Sequence, residues 1–425
     1  MRVMVVLPFA PWPVRVRASN LWPRIAKEVE VHVVALHAQL PKGQDPASLA
    51  NVASMELISF SSKRALARVA MALPARSPLC TSWVADPRAC RAVTTAYERI
   101  RPDVVYAERI RALPLLASIP PERVVLDPTD SLPMFYEQVR GQRGVPLAQR
   151  ILSVVERRRL VALERSWLPS FARIVACSTR DADWMRRSAP TARMEVVPNG
   201  VDLSVFRYRQ PANGDRRRVL LSGNFGYWPN REAASWLLQR APEIKAKLRA
   251  EVAFVGANPP SWLGRANGPA GVVVTGFVRD LAAYYHSASV VAAPLRFAAG
   301  TQNKVIEAMA CGRAVVATPE CVVGLESAGR PIVLEATREG FLDGLRDALA
   351  SQSRSRRLAE RGRAYVEEYH DWDRIASLML RLLEEVAGGS AKGGTYDTDK
   401  DGAPRDNDYT AVVPHQDGAR GLVLR

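Results

Sequence analysis

No stretch of the 425 residues approaches the ~20 consecutive apolar positions that cross a bilayer. The opening MRVMVVLPFAPWPV is interrupted by Pro8 before it reaches the length of a signal-peptide core. Only five cysteines occur, Cys80, Cys90, Cys177, Cys311 and Cys321, with no C-x-x-C spacing, and an odd count argues against a disulfide framework. A cytoplasmic, reducing compartment is the expectation. The five histidines form no H-x-x-x-H pair and no carboxylate-rich metal spacing, so no metal is expected. G-x-G-x-x-G is absent from the turns after the apolar strands, which excludes a dinucleotide-dependent oxidoreductase.

Acidic residues are also under-represented: 43 Asp and Glu stand against 59 Lys and Arg, for a net charge of +16. Residues 1–200 carry +12 of this and residues 201–425 only +4. Such a field attracts nucleic acid, anionic lipid or phosphorylated small molecules, and it also serves plain solubility. A basic groove with interleaved aromatics is missing, so nucleic acid is not expected as a partner. An anionic membrane surface meeting the basic first half stays open, which would make the protein peripheral on the cytoplasmic membrane face.

What is present is an ordinary globular composition, 48% hydrophobic and 24% charged, in a chain longer than one core usually supports. VMVVLP, VEVHVVAL, DVVYAE, RVVLDPT and RIVACS read as strands apolar on both faces, alternating with helical stretches such as DPRACRAVTTAYERIR. Beyond Asn199 the alternation restarts with VLLSGNF, AEVAFVGA, GVVVTGF, VVAAPL and AVVAT. The fold class is therefore α/β, two doubly wound Rossmann-like domains facing a central cleft. The boundaries fall at 1–195 for the first domain and 196–370 for the second. A C-terminal crossover helix follows at 371–389, then a Gly-, Asp- and Thr-rich tail at 390–425 that is expected to be disordered.

The second half presents one clear chemical constellation. After the strand ending at Pro294-Leu295 comes a small-residue loop with Gly300, and a helix begins near Gln302. Its free N–H groups and positive dipole end suit a phosphate. Lys304 adds a cation, and Glu307, about a turn further, can accept two hydroxyl hydrogen bonds, unless it is a surface carboxylate paired with Lys304. In SGNFGYWPN, Gly223 and Gly226 follow a strand and let the backbone approach a ligand. Asn199 and Gly200 fit a hinge turn in which glycine takes the left-handed conformation.

The segments VVPNGVDLSVF, SGNFGYWPN, FVGANP, VVVTGFVRDLAAYYHSASVVAAPL and GTQNKVIEAMACGRAVVAT, in this order over residues 195–325, resemble the retaining glycosyltransferases of family four, which have the GT-B fold. DWDRIASLMLRLL resembles that family's helix returning to the first domain. The resemblance implies transfer of a sugar from a UDP-, GDP- or dTDP-sugar, without a cofactor or metal, to a saccharide, lipid-linked or small-molecule acceptor in polysaccharide or glycoconjugate biosynthesis. It makes residues 1–195 the acceptor-binding domain and 196–370 the nucleotide-sugar-binding domain, and assigns Glu307 to the ribose. It places Gly223, Asn224, Gly300, Thr301, Gln302 and Asn303 around the donor, with Arg231, Arg296 and Lys304 as the cations open to the diphosphate. Phe277 and Val278 fall where the family packs against the base, and they fit a core position equally. Asp130, in LDPTDS, is the candidate polar contact to the transferred sugar, with a cap for the next helix as its alternative. Arg15 and Arg17 are offered as cations for an acceptor phosphate. One departure stands out: where the family carries a sugar-binding Glu eight positions before Glu307, this chain has Ala299. Either Gly300, Thr301 and Gln302 hold the sugar instead, or the protein binds a nucleotide sugar without transferring it.

Overall fold

The structure is a computed structural model that describes residues 1–11, 16–37, 49–74, 77–141, 145, 147–210, 217–268, 271–325 and 332–389. The expected tail at 390–425 and the candidate Arg15 lie outside the described residues.

Apolar runs buried on both faces need helices on both sides, and the chain supplies them twice. The first sheet contains β1 (Arg2–Leu7), β2 (Glu30–His37), β3 (Ser54–Ser59), β4 (Val104–Glu108), β5 (Val124–Thr129), β6 (Arg173–Ala176) and β7 (Met194–Val196), in the order β3-β2-β1-β4-β5-β6-β7. The second contains β8 (Arg217–Ser222), β9 (Ala250–Val255), β10 (Val272–Val274), β11 (Val290–Ala293), β12 (Val315–Ala317) and β13 (Leu334–Glu335), in the order β10-β9-β8-β11-β12-β13. Every pairing in both sheets is parallel. The order reverses between β1 and β4 in one sheet and between β8 and β11 in the other. At such a switch point the loops leave in opposite directions and open a crevice beyond the carboxyl ends of the strands.

β3, β7 and β13 have no counterpart in the sequence reading. SMELIS alternates and lies half-exposed at the sheet edge, and the other two strands span three and two residues, too few to show a period. The helix Ser62–Ala72, with Ser61 as its side-chain cap, was also not legible.

Two chain crossings join the domains. The first passes through Pro198 to Val201 and the second through His370 and Asp371, and they lie side by side, with Val201 N–H donating to His370 O at 2.7 Å and a bridge between Val201 and Asp371. After the second crossing the helix Trp372–Ala387 packs on the first sheet, where Trp372, Ile375, Met379 and Leu383 share a core with Val3, Val5, Leu21 and Trp22. Gly200 is required here for a reason other than the expected one. Its φ is not positive; instead a Cβ would lie 2.7 Å from the Trp372 ring and 3.0 Å from His370 O.

A buried network braces this junction. Arg17 Nε donates to Asp127 Oδ2 at 2.6 Å, and Arg17 Nη1 donates to Pro198 O at 3.0 Å and Asn199 Oδ1 at 3.1 Å. Tyr106 OH donates to the same Asp127 oxygen at 2.6 Å. Arg17 is therefore not a cation offered to an acceptor phosphate. Its charge is neutralised inside the protein, because an arginine taken out of water needs a paired carboxylate.

Candidate active site

The two loops that leave the second switch point carry the constellation read from the sequence. After β8 the chain turns through Gly223 to Tyr227 into the helix Trp228–Leu248; after β11 it runs through 294–302 into the helix Asn303–Ala310. Neither helix has a side-chain cap, Tyr227 and Gln302 standing at the capping positions, so the first amides of both face the crevice without one. Gly223 has φ +148°, and a Cβ there would meet Asn230 Nδ2 at 2.8 Å; Asn230 in turn donates to Asn224 O at 3.0 Å. Asn224 Oδ1 accepts from Gly226 N–H at 2.9 Å and from Asn258 Nδ2 at 3.1 Å, which fixes the loop's shape.

Glu307 is neither a surface carboxylate nor an ion-pair partner of Lys304 at contact distance. It is half-buried, and its Oε2 accepts from Tyr285 OH at 2.8 Å, while Ser222 Oγ lies 2.7 Å from the same hydroxyl. Burial pushes its carboxyl up from the ordinary value, against the pull of the Tyr285 hydrogen bond and Lys304. The Lys304 amine is itself buried and held down by desolvation, with Nζ 3.3 Å from Gln302 Oε1. Gln302 uses its amide nitrogen on Ala299 O at 3.0 Å. Asn303 Oδ1 is buried with no partner among the described residues.

The other candidates divide. Arg231, in the first turn of the helix Trp228–Leu248, is exposed and has no ion pair among the described residues. Arg296 lies 3.8 Å from Glu232, a carboxylate that Arg338 grips with both nitrogens at 2.5–2.6 Å. Val278 packs half-buried against the second core, whereas Phe277 is 66% exposed, so the core alternative fails for Phe277 and holds for Val278.

The loop 294–302 is also where the first domain reaches across. Gln138 pairs with the Ala298 backbone in both directions, each bond 3.1 Å. Gly300 N–H donates to Asp181 Oδ2 at 3.1 Å, and Thr301 Oγ1 donates to Cys177 O at 3.0 Å. The Thr301 hydroxyl is thus turned to the first domain and away from the crevice. Gly300, at φ +64°, leaves room for nothing larger, since a Cβ would stand 2.1 Å from Asp130 Oδ1 and 2.7 Å from Cys177 Sγ. Asp130 accepts from that thiol at 3.1 Å; the cap of the next helix is Ser131, so the cap alternative fails. Asp181, buried beside Asp130, has its carboxyl pushed up to about 6.

Aromatic rings fill the same boundary. Trp228 and Phe297 stack at 4.4 Å, and Phe135 of the first domain stacks on Tyr227 at 6.4 Å and meets Phe297 edge-on. At the first switch point, the ends of β1 and β4 bring Pro8, Phe9, Glu108 and Arg109 around a small cavity, and the Arg111 guanidinium lies 5.3 Å from the Phe9 ring centroid.

Tyr285, Gln138, Asp181 and Glu108 did not come forward from the sequence. Ser178-x-x-Asp181 at a helix start was a legible capping pattern, but its partner Gly300 lies 119 residues away. Gln138 offered no signal at all.

Two doubly wound domains closed on each other, with two glycine-shaped loops and uncapped helix ends at the second switch point, define a two-domain, doubly wound α/β protein. Residues 216–353 match the family model described as glycosyl transferases group 1, and the fold is GT-B. A phosphatidyl-myo-inositol mannosyltransferase of Mycobacterium tuberculosis is 29% identical over 238 residues, covering 51% of this chain and 61% of that protein. The chain therefore spans less than two thirds of that relative's length. Among solved structures, sucrose-phosphate synthase from Thermosynechococcus elongatus superposes with a TM-score of 0.69 at 15% identity, covering 92% of this chain and 100% of the other. HepE from Anabaena, solved with UDP and glucose, gives 0.60 at 14% identity over 90% of this chain and 99% of the other.

Proposed function

We propose that the protein is a glycosyltransferase that takes a sugar from a nucleoside-diphosphate sugar and transfers it, with retention and without a metal, to an acceptor bound at the first switch point. The observation that carries this reading is the crevice between β8 and β11, where the uncapped helix Asn303–Ala310 brings Lys304 and Glu307 together beside the Gly223 loop. There the amides of the first turn and the Lys304 charge stabilise the diphosphate as it departs. Arg231, an exposed cation of the neighbouring first turn, supplements them. Glu307 keeps one carboxylate oxygen on Tyr285 and offers the other to the ribose hydroxyls. Phe277, exposed at the rim, stacks on the base. Asp130, against Gly300, stands where the transferred sugar meets the acceptor.

The names of the similar proteins support donor and acceptor classes: UDP for the donor, and a lipid-linked acceptor by analogy with the mannosyltransferase. A cytoplasmic protein peripheral to a membrane fits that acceptor; no described helix is long and apolar enough to cross one. Ala299 supports a second reading, a protein that holds the nucleotide sugar without turning it over.

The test is a melting screen against UDP, GDP, ADP, dTDP and their sugars, with Glu307→Ala alongside. One nucleotide should raise the melting temperature of the wild type and fail to do so in the variant. If no nucleotide does so while NAD or nucleic acid does, the reading is overturned. Donor turnover separates transferase from binding protein.

A further inference from the structure

Six non-glycine residues among those described have a positive φ. Asn51 and Asn258 are of the type that tolerates it, and Arg101 and Arg249 close helices in the left-handed conformation. Arg109 and Thr129, both at φ +69°, fit neither description. Arg109 combines that φ with ψ 141°, which suits glycine, and Thr129 is β-branched. They stand at the carboxyl ends of the neighbouring strands β4 and β5, where Glu108 is paired with Asp127. Asp127 holds both, its O accepting from Arg109 N–H at 2.5 Å and its Oδ1 from Thr129 N–H at 2.8 Å. Backbone strain kept in place by a buried carboxylate gathers at sites where side chains must be aimed, and here it marks the rim of the first switch point.

What is aimed there is positive charge. Arg109, half-buried, lines the cavity with Pro8, Phe9 and Glu108, its Nε 3.7 Å from the Glu108 carboxylate and beyond hydrogen-bond reach. Arg111, two residues on, has no ion pair and no hydrogen bond among the described residues, and its Nε is shut off from water. Burial pushes its guanidinium down and the charge of Arg109 adds to that, against Cys80 and Tyr136. Neither of those neutralises it near neutral pH, since burial pushes the thiol up to about 11 and the phenol up to about 12. The Phe9 ring, 5.3 Å away, attracts a cation but does not balance its charge. Arg17 meets the same need with Asp127; among the described residues Arg111 has no such carboxylate.

We propose that Arg109 and Arg111 form a subsite for a phosphate or carboxylate group carried by the acceptor. A planar guanidinium matches either anion with two parallel hydrogen bonds. The donor's diphosphate has its own place at the second switch point, in the other sheet, so this charge is left for the second substrate. Arg109 also faces the cleft: burial and Asp130 push the Tyr227 hydroxyl up, and Arg109 opposes them. The subsite lies on the acceptor side of Asp130 and takes the part that the sequence offers to Arg17. Calling the ligand an acceptor rests on the glycosyltransferase reading; the binding of an anion does not.

The experiment is titration calorimetry of the full chain with inorganic phosphate, glycerol 3-phosphate and glucuronate, first alone and then with the donor site blocked by whichever nucleoside diphosphate raises the melting temperature. Arg111→Met, Arg109→Gly, which the positive φ accommodates, and the exposed Arg64→Gln as a control run in parallel. At least one of the three anions should bind the wild type and the control. Both subsite variants should lose that binding at least tenfold, with nucleotide affinity kept within twofold. In anion-poor buffer Arg111→Met should melt no lower than the wild type, because it removes a buried charge without a counterion, and the bound anion should raise the melting temperature of the wild type alone. Failure of all three anions to bind, or unchanged binding in both variants, overturns the proposal. So does a lower melting temperature of Arg111→Met without the anion, which would make the arginine a structural one. UDP-glucuronate binding at least tenfold better than UDP-glucose, with that preference lost in both variants, would place the anion on the donor sugar and overturn the acceptor assignment. A protein that binds these anions but no nucleotide keeps the anion subsite and loses the glycosyltransferase reading.

Discussion

Replacing Gln138 by Ala tests whether closure of the cleft is set by the loop that leads into the helix Asn303–Ala310. The carboxamide makes two bonds to one backbone unit, Nε2 to Ala298 O and Ala298 N–H to Oε1, both 3.1 Å and both between neutral groups. A neutral hydrogen bond is worth ~0.5–1.5 kcal/mol net, so the pair favours the closed arrangement by ~1–3 kcal/mol. That corresponds to roughly 5–150-fold in the ratio of closed to open molecules. Neither core loses an apolar contact, and both backbone groups regain water on opening, so the melting temperature should hardly move. The readout is kcat/KM for the donor, with the radius of gyration from solution scattering in parallel. Gln138→Ala should lower kcat/KM within that range and expand the molecule; Gln138→Glu, which keeps the acceptor and loses the donor, should fall between. Wild-type kcat/KM in both variants, within twofold, would refute the idea that this pairing governs closure.

Tyr285→Phe removes the hydroxyl that holds Glu307 Oε2 at 2.8 Å and should weaken nucleotide binding by roughly 10–150-fold, measured by titration calorimetry, because a hydrogen bond to a charged group is worth ~1.5–3 kcal/mol. Glu164, buried in the first domain, has its carboxyl pushed up to about 8 by desolvation. With a folded value above the unfolded one, its contribution is full below about 4.5 and is lost as pH rises through about 8. Denaturant titrations should therefore show stability falling over that window, and Glu164→Gln should flatten the slope. His370 behaves in the opposite sense: burial lowers it to about 4, so its contribution is present above about 6.5 and lost as pH falls toward 4. His370→Gln should remove that part of the acid limb, read from melting temperatures between pH 4 and 7.

The sequence made the two-domain α/β architecture legible because both sheets are parallel and buried, so most strands appear as unbroken apolar runs such as VMVVLP and VVAAPL. The helix start at Gln302 and the need for glycine at 223 were also legible, since both are local: a short loop, a strand end and a helix beginning within ten residues. What the sequence hid is long-range. Nothing around Gln138 announces a backbone partner 160 residues later, and the Asp181 carboxylate looks like a capping residue until Gly300 is seen against it. Arg17 shows the converse error. A cation in a Pro-rich loop reads as open to solvent, and only the fold reveals Asp127 beside it. Gly200 was rightly singled out, but on the wrong ground, because closeness to an indole cannot be read from neighbours in the chain.

The paired crossings at Pro198–Val201 and His370–Asp371 make the second domain an insert within the first. Both ends of that insert leave from adjacent points on one scaffold, so residues 202–369 form a cassette on a doubled tether. Such a cassette can swing about the line through its two attachments but cannot twist or slide freely, which confines domain motion to one axis. It can also be exchanged whole. A cassette of another specificity, joined at the same two points, would meet the same opposing wall, and removing the cassette would leave a first domain whose own beginning and final helix are already packed together.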